Sequence, residues 1–218
     1  MRRDVLGWTA RRTVARREGA VVEARGDGGT GLNVLRVDGA ELLRWRAGVR
    51  RVYAAAFTGP PWNEDESRAD AFVRRLPDEV RRPGFVAALA RDGERVLGFA
   101  TAVTTPEVFP EDRSYGKAAA TLGAARTRAL LCGGREVNDL AVDPAAGGRG
   151  VGRALLAAMT RDAPMGRCWL LTHLVAEPAR AFYRRLGWVE VAPPHASEET
   201  DVVVFLAPTH PGRDSVTG

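Results

Sequence analysis

The sequence predicts an α/β fold with a central sheet flanked by helices. Three observations carry that reading. Short apolar runs alternate with segments whose apolar residues recur every three to four positions. An Asp92-Gly93 turn separates two such runs as a hairpin. In the last third, a strand passes through a glycine-rich loop into an amphipathic helix. With 218 residues, of which 45% are hydrophobic and 27% charged, the chain has apolar mass for one core plus tails, and hence for one active site.

From Met1 to Gly31 the chain is arginine-rich, ends in Arg25-Gly26-Asp27-Gly28-Gly29-Thr30-Gly31 and keeps no period, so residues 1–31 are expected to be a disordered basic tail. Trp8 to Arg17 has the makings of a short helix only if a partner fixes it. Order begins with a strand from Leu32 to Val37. The apolar positions Leu42, Leu43, Ala47, Val49, Val52, Tyr53 and Phe57 then predict a helix over Ala40 to Phe57, stopped by Gly59-Pro60-Pro61. A charged helix is expected from Glu64 to Leu76. The hairpin strands are Phe85 to Ala90 and Val96 to Val103, and an alanine- and leucine-rich helix is expected over Tyr115 to Leu131. The remainder reads as strand Glu136 to Val142, helix Gly150 to Thr160, strand Cys168 to Val175, helix Glu177 to Arg185, and closing strands Trp188 to Val191 and Val202 to Leu206. Residues 207–218, with Pro208, Pro211 and Gly212, are expected to be a flexible tail, leaving 32–206 as the domain.

The net charge of +5 suits an anionic partner, either nucleic acid or a polyphosphorylated cofactor. The basic residues are almost all arginine, Lys117 being the single lysine, and they are scattered rather than interleaved with aromatics, which disfavours nucleic acid. Cys132 and Cys168 form no CxxC and have no histidine at metal spacing, so reduced thiols are expected and no metal site. No apolar stretch reaches the roughly 20 residues of a membrane span, and no signal peptide is legible, so a cytoplasmic protein is expected.

The strongest chemical signal is Val142-Asp143-Pro144-Ala145-Ala146-Gly147-Gly148-Arg149-Gly150-Val151-Gly152-Arg153-Ala154. Glycines let the backbone approach a ligand, and a helix start offers unpartnered N–H groups and partial positive charge, terms that fit a pyrophosphate. A P-loop is excluded because Arg153-Ala154 stands where Lys-Ser/Thr is needed. A dinucleotide fingerprint lacks its third glycine, Arg153 holding that place. A merely tight strand-to-helix joint is the structural alternative.

This loop, after a strand and Asp-Pro, resembles the acetyl-CoA loop of the GCN5-related N-acetyltransferase (GNAT) family, whose usual form is Gln/Arg-x-x-Gly-x-Gly/Ala. Gly150 and Gly152 match its glycines, while Gly147 stands where the family prefers Gln or Arg. About thirty residues later, Ala181-Phe182-Tyr183-Arg184-Arg185-Leu186-Gly187-Trp188 resembles the family's helix ending in Phe-Tyr-x-x-x-Gly-Phe/Trp. Ala176 or Glu177 stands where the family often has Asn. The resemblance implies a GNAT-like mixed sheet flanked by helices, with a strand-loop-helix site for acetyl-CoA. It implies contacts from Leu140, Ala141 and Val142 to the pantetheine arm and acetyl group, and from Gly147, Gly148, Arg149, Gly150, Val151, Gly152 and Arg153 to the phosphates.

In the strand before the loop, Val137 is apolar on an odd position but Leu140 and Val142 on even ones. Either a β-bulge near Asn138-Asp139 restores the core face, or a polar pair faces solvent in a regular strand. The implied reaction is acetyl transfer to an amine of a small molecule or protein, by direct attack in a ternary complex; an inactive coenzyme A-binding or sensor module is the alternative. An alkyl ammonium, with a pKa of about 10, must lose a proton before it attacks. Glu136 is the first candidate base, at the place where protein-acetylating members carry a glutamate, and Asp139 the second. Tyr183 is the candidate donor to the leaving thiolate, with a core tyrosine as the alternative. His173 reads as a buried, hydrogen-bonded histidine, Cys168 as packing, and His195 as a residue at the edge of the acceptor site. The acceptor is not legible, and a homodimer is left open.

Overall fold

The computed structural model describes residues 21–23, 33–111, 115–191 and 201–216. The readings at Trp8 to Arg17 and His195 fall outside the described residues. Among the described residues eight strands form one sheet: β1 (Val21–Glu23), β2 (Asn33–Val37), β3 (Val86–Asp92), β4 (Arg95–Thr104), β5 (Arg135–Val142), β6 (Cys168–His173), β7 (Val189–Glu190) and β8 (Val202–Leu206), in the order β1-β2-β3-β4-β5-β6-β8-β7. Among these described strands only the β5–β6 pair is parallel. Seven α-helices among the described residues flank the sheet: α1 (Gly39–Arg44), α2 (Arg46–Phe57), α3 (Ser67–Glu79), α4 (Tyr115–Leu122), α5 (Ala124–Leu130), α6 (Val151–Thr160) and α7 (Glu177–Arg185). The mixed α/β class is the one expected.

Both sheet faces are covered, which is why β4 is buried from Val96 to Val103. On one face, Ala87, Leu89 and Phe99 pack with Val49, Val52, Phe72 and Leu76 of α2 and α3. On the other, Ala88, Ala90 and Ala100 pack with Leu155, Leu156 and Met159 of α6. At the far edge Trp169, Val204 and Leu206 pack with Leu122, Leu130 and Leu131.

Several expectations are corrected. The helix expected over Ala40 to Phe57 breaks at Trp45, where φ is −91° and ψ 9°. The Trp45 indole donates to Glu41 at 2.8 Å and lies 4.2 Å beneath the Arg91 guanidinium, so side-chain anchoring sets the kink without disturbing the apolar period. The helix expected over Tyr115 to Leu131 breaks at Gly123, whose φ is 77°. The α3 helix begins three residues later than expected because the Asp65 carboxylate accepts from the Ser67 amide at 2.9 Å and sets the turn there. β1 lies inside the segment expected to be a tail; three residues are too few to display alternation.

Residues 207–216 are not the flexible tail their prolines suggested. His210, 2% exposed, places Nε2 2.9 Å from the Leu130 carbonyl oxygen, the Ala207 amide donates to Cys168 O at 2.9 Å, and Val216 packs beside Leu130 and Leu131. Tertiary contact from α5 overrides the local composition.

Candidate active site

β5 positions most of the site. Its register against β4 pairs Thr101 with Asp139 and Ala102 with Val137, so Asn138 is the extra residue of a bulge. The bulge puts Val137, Leu140 and Val142 on the α6 face and Ala141 on the other, resolving the phase change seen in the sequence. On its other side β5 pairs with β6 only from Arg135 to Val137, against Cys168 to Leu170. Beyond Val137 the two parallel strands separate, and two cavities open around the separation.

The first, of about 630 Å³, lies along the loop and α6 and is lined by Leu140, Ala141, Val142, Gly147, Gly148, Gly150, Val151, Gly152 and Arg153, with Ala179, Phe182 and Tyr183 of α7 opposite. Arg149 is exposed and lies outside that lining. Gly150 has φ 77° and ψ 5°, the left-handed region, and turns the chain into α6. The first intrahelical bond of α6 runs from Ala154 N–H to Gly150 O at 3.0 Å, which leaves the amides of Val151, Gly152 and Arg153 at the cleft. A Cβ on Gly152 would come within 3.0 Å of the Phe182 ring, so this glycine lets α7 close over the helix start. Width, free amides and dipole sign all suit a pyrophosphate with an extended arm running along Leu140 to Val142.

The second cavity, of about 290 Å³, lies between the separated strands under α2 and α3. It holds Glu136 and Asp139 and shares Phe57, Trp62, Leu140 and Tyr183 with the first. Glu136 is 6% exposed and accepts a 2.6 Å hydrogen bond from the Tyr115 hydroxyl. Burial pushes its carboxyl up to about 7, against the opposing pull of the Tyr115 bond and Arg82. Asp139 accepts from Thr101 Oγ1 at 2.5 Å. Tyr183 is 9% exposed, its ring among Phe182, Trp188 and Phe205, and its hydroxyl has no hydrogen-bond partner among the described residues. Burial raises its phenol to about 12.

Not every reading of the sequence holds. His173 is exposed at the end of β6, edge-on to Trp62 at 5.5 Å, and not a buried, hydrogen-bonded histidine. Cys168 is fully buried, as packing requires, and burial raises its thiol to about 12. Among the described residues no group of side chains could hold a metal, and no helix is long and apolar enough to cross a membrane. Sequence reasoning missed Tyr53, taken as a residue of an apolar helix face, and Tyr115 and Glu64, each taken as a helix start.

Residues 83–190 match the family model of the acetyltransferase (GNAT) domain. Over that segment the chain carries a GNAT acetyltransferase domain. Mycothiol acetyltransferase of Nocardioides sp. (strain ATCC BAA-499 / JS614) is 30% identical over 206 residues, which cover 89% of this chain and 59% of that protein, so the chain spans less than two thirds of that relative's length. Two solved structures share the fold. One is the protein described as histone acetyltransferase HPA2 and related acetyltransferase from Corynebacterium glutamicum ATCC 13032, with a TM-score of 0.51, 19% identity, and coverage of 80% of this chain and 94% of that one. The other is a Pyrococcus horikoshii OT3 protein, with a TM-score of 0.50, 14% identity, and coverage of 87% and 98%.

In this GNAT domain the loop is braced by a residue that the motif leaves unremarked. The Asp143 side chain, 8% exposed, accepts from Arg51 of α2 at 2.9 Å and Arg95 of β4 at 3.0 Å, and its other oxygen caps the turn by accepting from the Ala145 amide at 3.0 Å. Burial pushes its carboxyl up, but the two arginines and the amide outweigh burial and hold it below the ordinary carboxylate range. Asp143→Ala is expected to cost about 1–3 kcal/mol, tempered because both arginines are half exposed. The check is the urea midpoint. Because the folded pKa is depressed, the carboxylate's contribution is complete above the unfolded value of about 3.9 and is lost as pH falls through the lower folded value. The variant and the native protein should therefore converge in stability under acid.

Proposed function

We propose that the chain is an N-acetyltransferase that moves the acetyl group of acetyl-CoA to a primary amine of a small molecule or protein by direct attack in a ternary complex. The observation that supports this reading above all is the meeting of two cavities at one strand separation. One has the walls of a phosphate and pantetheine cleft, and the other holds a buried carboxyl whose pKa lies near neutrality.

Acetyl-CoA would supply an acetyl thioester, held by the Gly147 to Arg153 loop, the α6 amides and the backbone of Leu140 to Val142. Glu136, ionised in about half the molecules at neutral pH, takes the proton of the incoming ammonium, directly or through water. Asp139 is the second candidate and already tightens the proton affinity of Glu136 by its charge. A backbone N–H in the unpaired stretch of β5 steadies the negative charge that develops on the acetyl oxygen. The Tyr183 phenol, at about 12, keeps its proton, while a thiol ionises at about 8.5. Its role is therefore a hydrogen bond to the departing thiolate and not full proton transfer.

Because the Tyr183 hydroxyl has no partner among the described residues, Tyr183→Phe breaks no hydrogen bond to any of them. It is expected to lower kcat by about 10²-fold while leaving the melting temperature level or raised. A fall in both would mark a core tyrosine instead. The function is tested by release of coenzyme A thiol from acetyl-CoA across a panel of primary amines. Amine-dependent release supports the proposal, and acetyl-CoA binding with no release for any amine or lysine peptide contradicts it.

A further inference from the structure

The second cavity is charged in a way that proton abstraction alone does not explain. Among the described residues four carboxylates line it, those of Glu64, Glu79, Glu136 and Asp139, against one guanidinium, that of Arg75. Glu79 is ion-paired with Arg82 at 2.9 Å. Glu64 is held differently. Its Oε2 accepts from the Tyr53 hydroxyl at 2.9 Å, and its amide donates to Phe57 O at 2.9 Å, so backbone and side chain are both pinned. A hydroxyl fixes a carboxylate without neutralising it, and a carboxylate has acceptor sites for several more donors. Glu64 lies in the connection between α2 and α3, while Glu136 is on β5, and both line the cavity. The rings of Tyr53, Phe57, Phe72 and Trp62, in contact with one another, line the same cavity, and Trp62 also lines the first. The Tyr183 side chain, nine-tenths buried and with no hydrogen-bond partner for its hydroxyl among the described residues, lines the same space.

We infer that the acceptor is a small diamine-like molecule, in which Glu64, lining the cavity together with the Trp62 ring, binds a second cationic group while Glu136 receives the proton of the amine that reacts. This rests on the acetyl-transfer reading and names the acceptor class for that same site. The reacting ammonium loses its charge on the way to the amide, so its attraction to the cavity fades. A second cation keeps its charge from binding to product, and an apolar linker suits the aromatic walls. The cavity's size, about 290 Å³, fits such a molecule. Cation–π attraction to an indole adds to the ion pair. Because the second contact is equal in ground and transition states, it should appear in KM more than in kcat.

The test compares putrescine with n-butylamine, its counterpart without the second charge, in the native protein and in Glu64→Gln, which keeps an acceptor for Tyr53. The readouts are thiol release and calorimetric binding of each amine in the presence of coenzyme A. Putrescine is expected to exceed butylamine in kcat/KM by about tenfold or more, and Glu64→Gln to shrink that ratio by about tenfold through KM. A structural role for Glu64 would lower both amines together and leave the ratio standing, which overturns the inference, as do equal values for the two amines in the native protein or no measurable interaction with either. Putrescine binding that Glu64→Gln weakens, with no turnover of any amine, would support the dication site and sink the acetyl-transfer reading; turnover with no preference for the second charge would do the reverse.

Discussion

Glu136→Gln is expected to lower kcat by about 10²- to 10⁴-fold at neutral pH and to abolish a rising limb of the pH–rate profile centred near 7. The limb follows from the carboxyl itself. Burial lifts it from 4.5 to about 7, more than the Tyr115 hydrogen bond and Arg82 pull it back, and only the ionised form accepts a proton. Activity therefore rises with pH through that value, and glutamine, with nothing to titrate, has no such limb. Stability should move the opposite way. The unfolded chain ionises at the ordinary value and the folded chain later, so stability falls as pH rises between 4.5 and about 7, and above that window the buried charge costs on the order of 3 kcal/mol. Glutamine can still accept from Tyr115. The variant should be the more stable protein at about pH 8 and level with the native one below the window. Urea midpoints at the two pH values check this, and an unchanged kcat would move the base to Asp139.

Gly150→Trp is expected to weaken acetyl-CoA binding by at least about 100-fold. Two effects combine. A side chain at φ 77° costs about 1–2 kcal/mol of strain, and the indole occupies the space before the α6 amides, where phosphate oxygens would sit. No heavy atom lies within 4 Å of a Cβ built on Gly150, so the added bulk meets ligand before it meets protein. Gly123 supplies the control: its φ is also 77°, a Cβ there also meets nothing within 4 Å, and it opens α5, whose residues are absent from the cleft lining. Gly123→Trp should carry similar strain and leave binding within a few fold of native.

Much of this arrangement was legible in the sequence, for identifiable reasons. The loop from Val142 to Arg153 and the helix ending at Gly187 are local: glycines, a strand and a helical period within a few residues announce them, and α7 and β8 fall where they were expected. The bulge at Asn138 was legible because one strand's apolar residues changed phase. The kink at Trp45 was not, since it is set by Glu41 and Arg91 side chains and leaves the helical period intact. Nor were the Asp143 brace, which joins Arg51, Arg95 and the loop across long sequence separations, or the Tyr115 bond to Glu136. Partners chosen by the fold leave no spacing to read. The ordered segment 207–216 misled for the same reason, its contacts with α5 lying 80 residues away at His210 and Leu130.

The cleft along α6 is where acetyl-CoA should be found first. Calorimetric titration of acetyl-CoA into the purified native chain should give micromolar binding at one site per chain, with the heat lost in Gly150→Trp and kept in Gly123→Trp. A native protein that melts cooperatively yet takes up no acetyl-CoA would contradict the acetyltransferase reading, because the loop, the free α6 amides and the separated strands would then have no ligand to explain them.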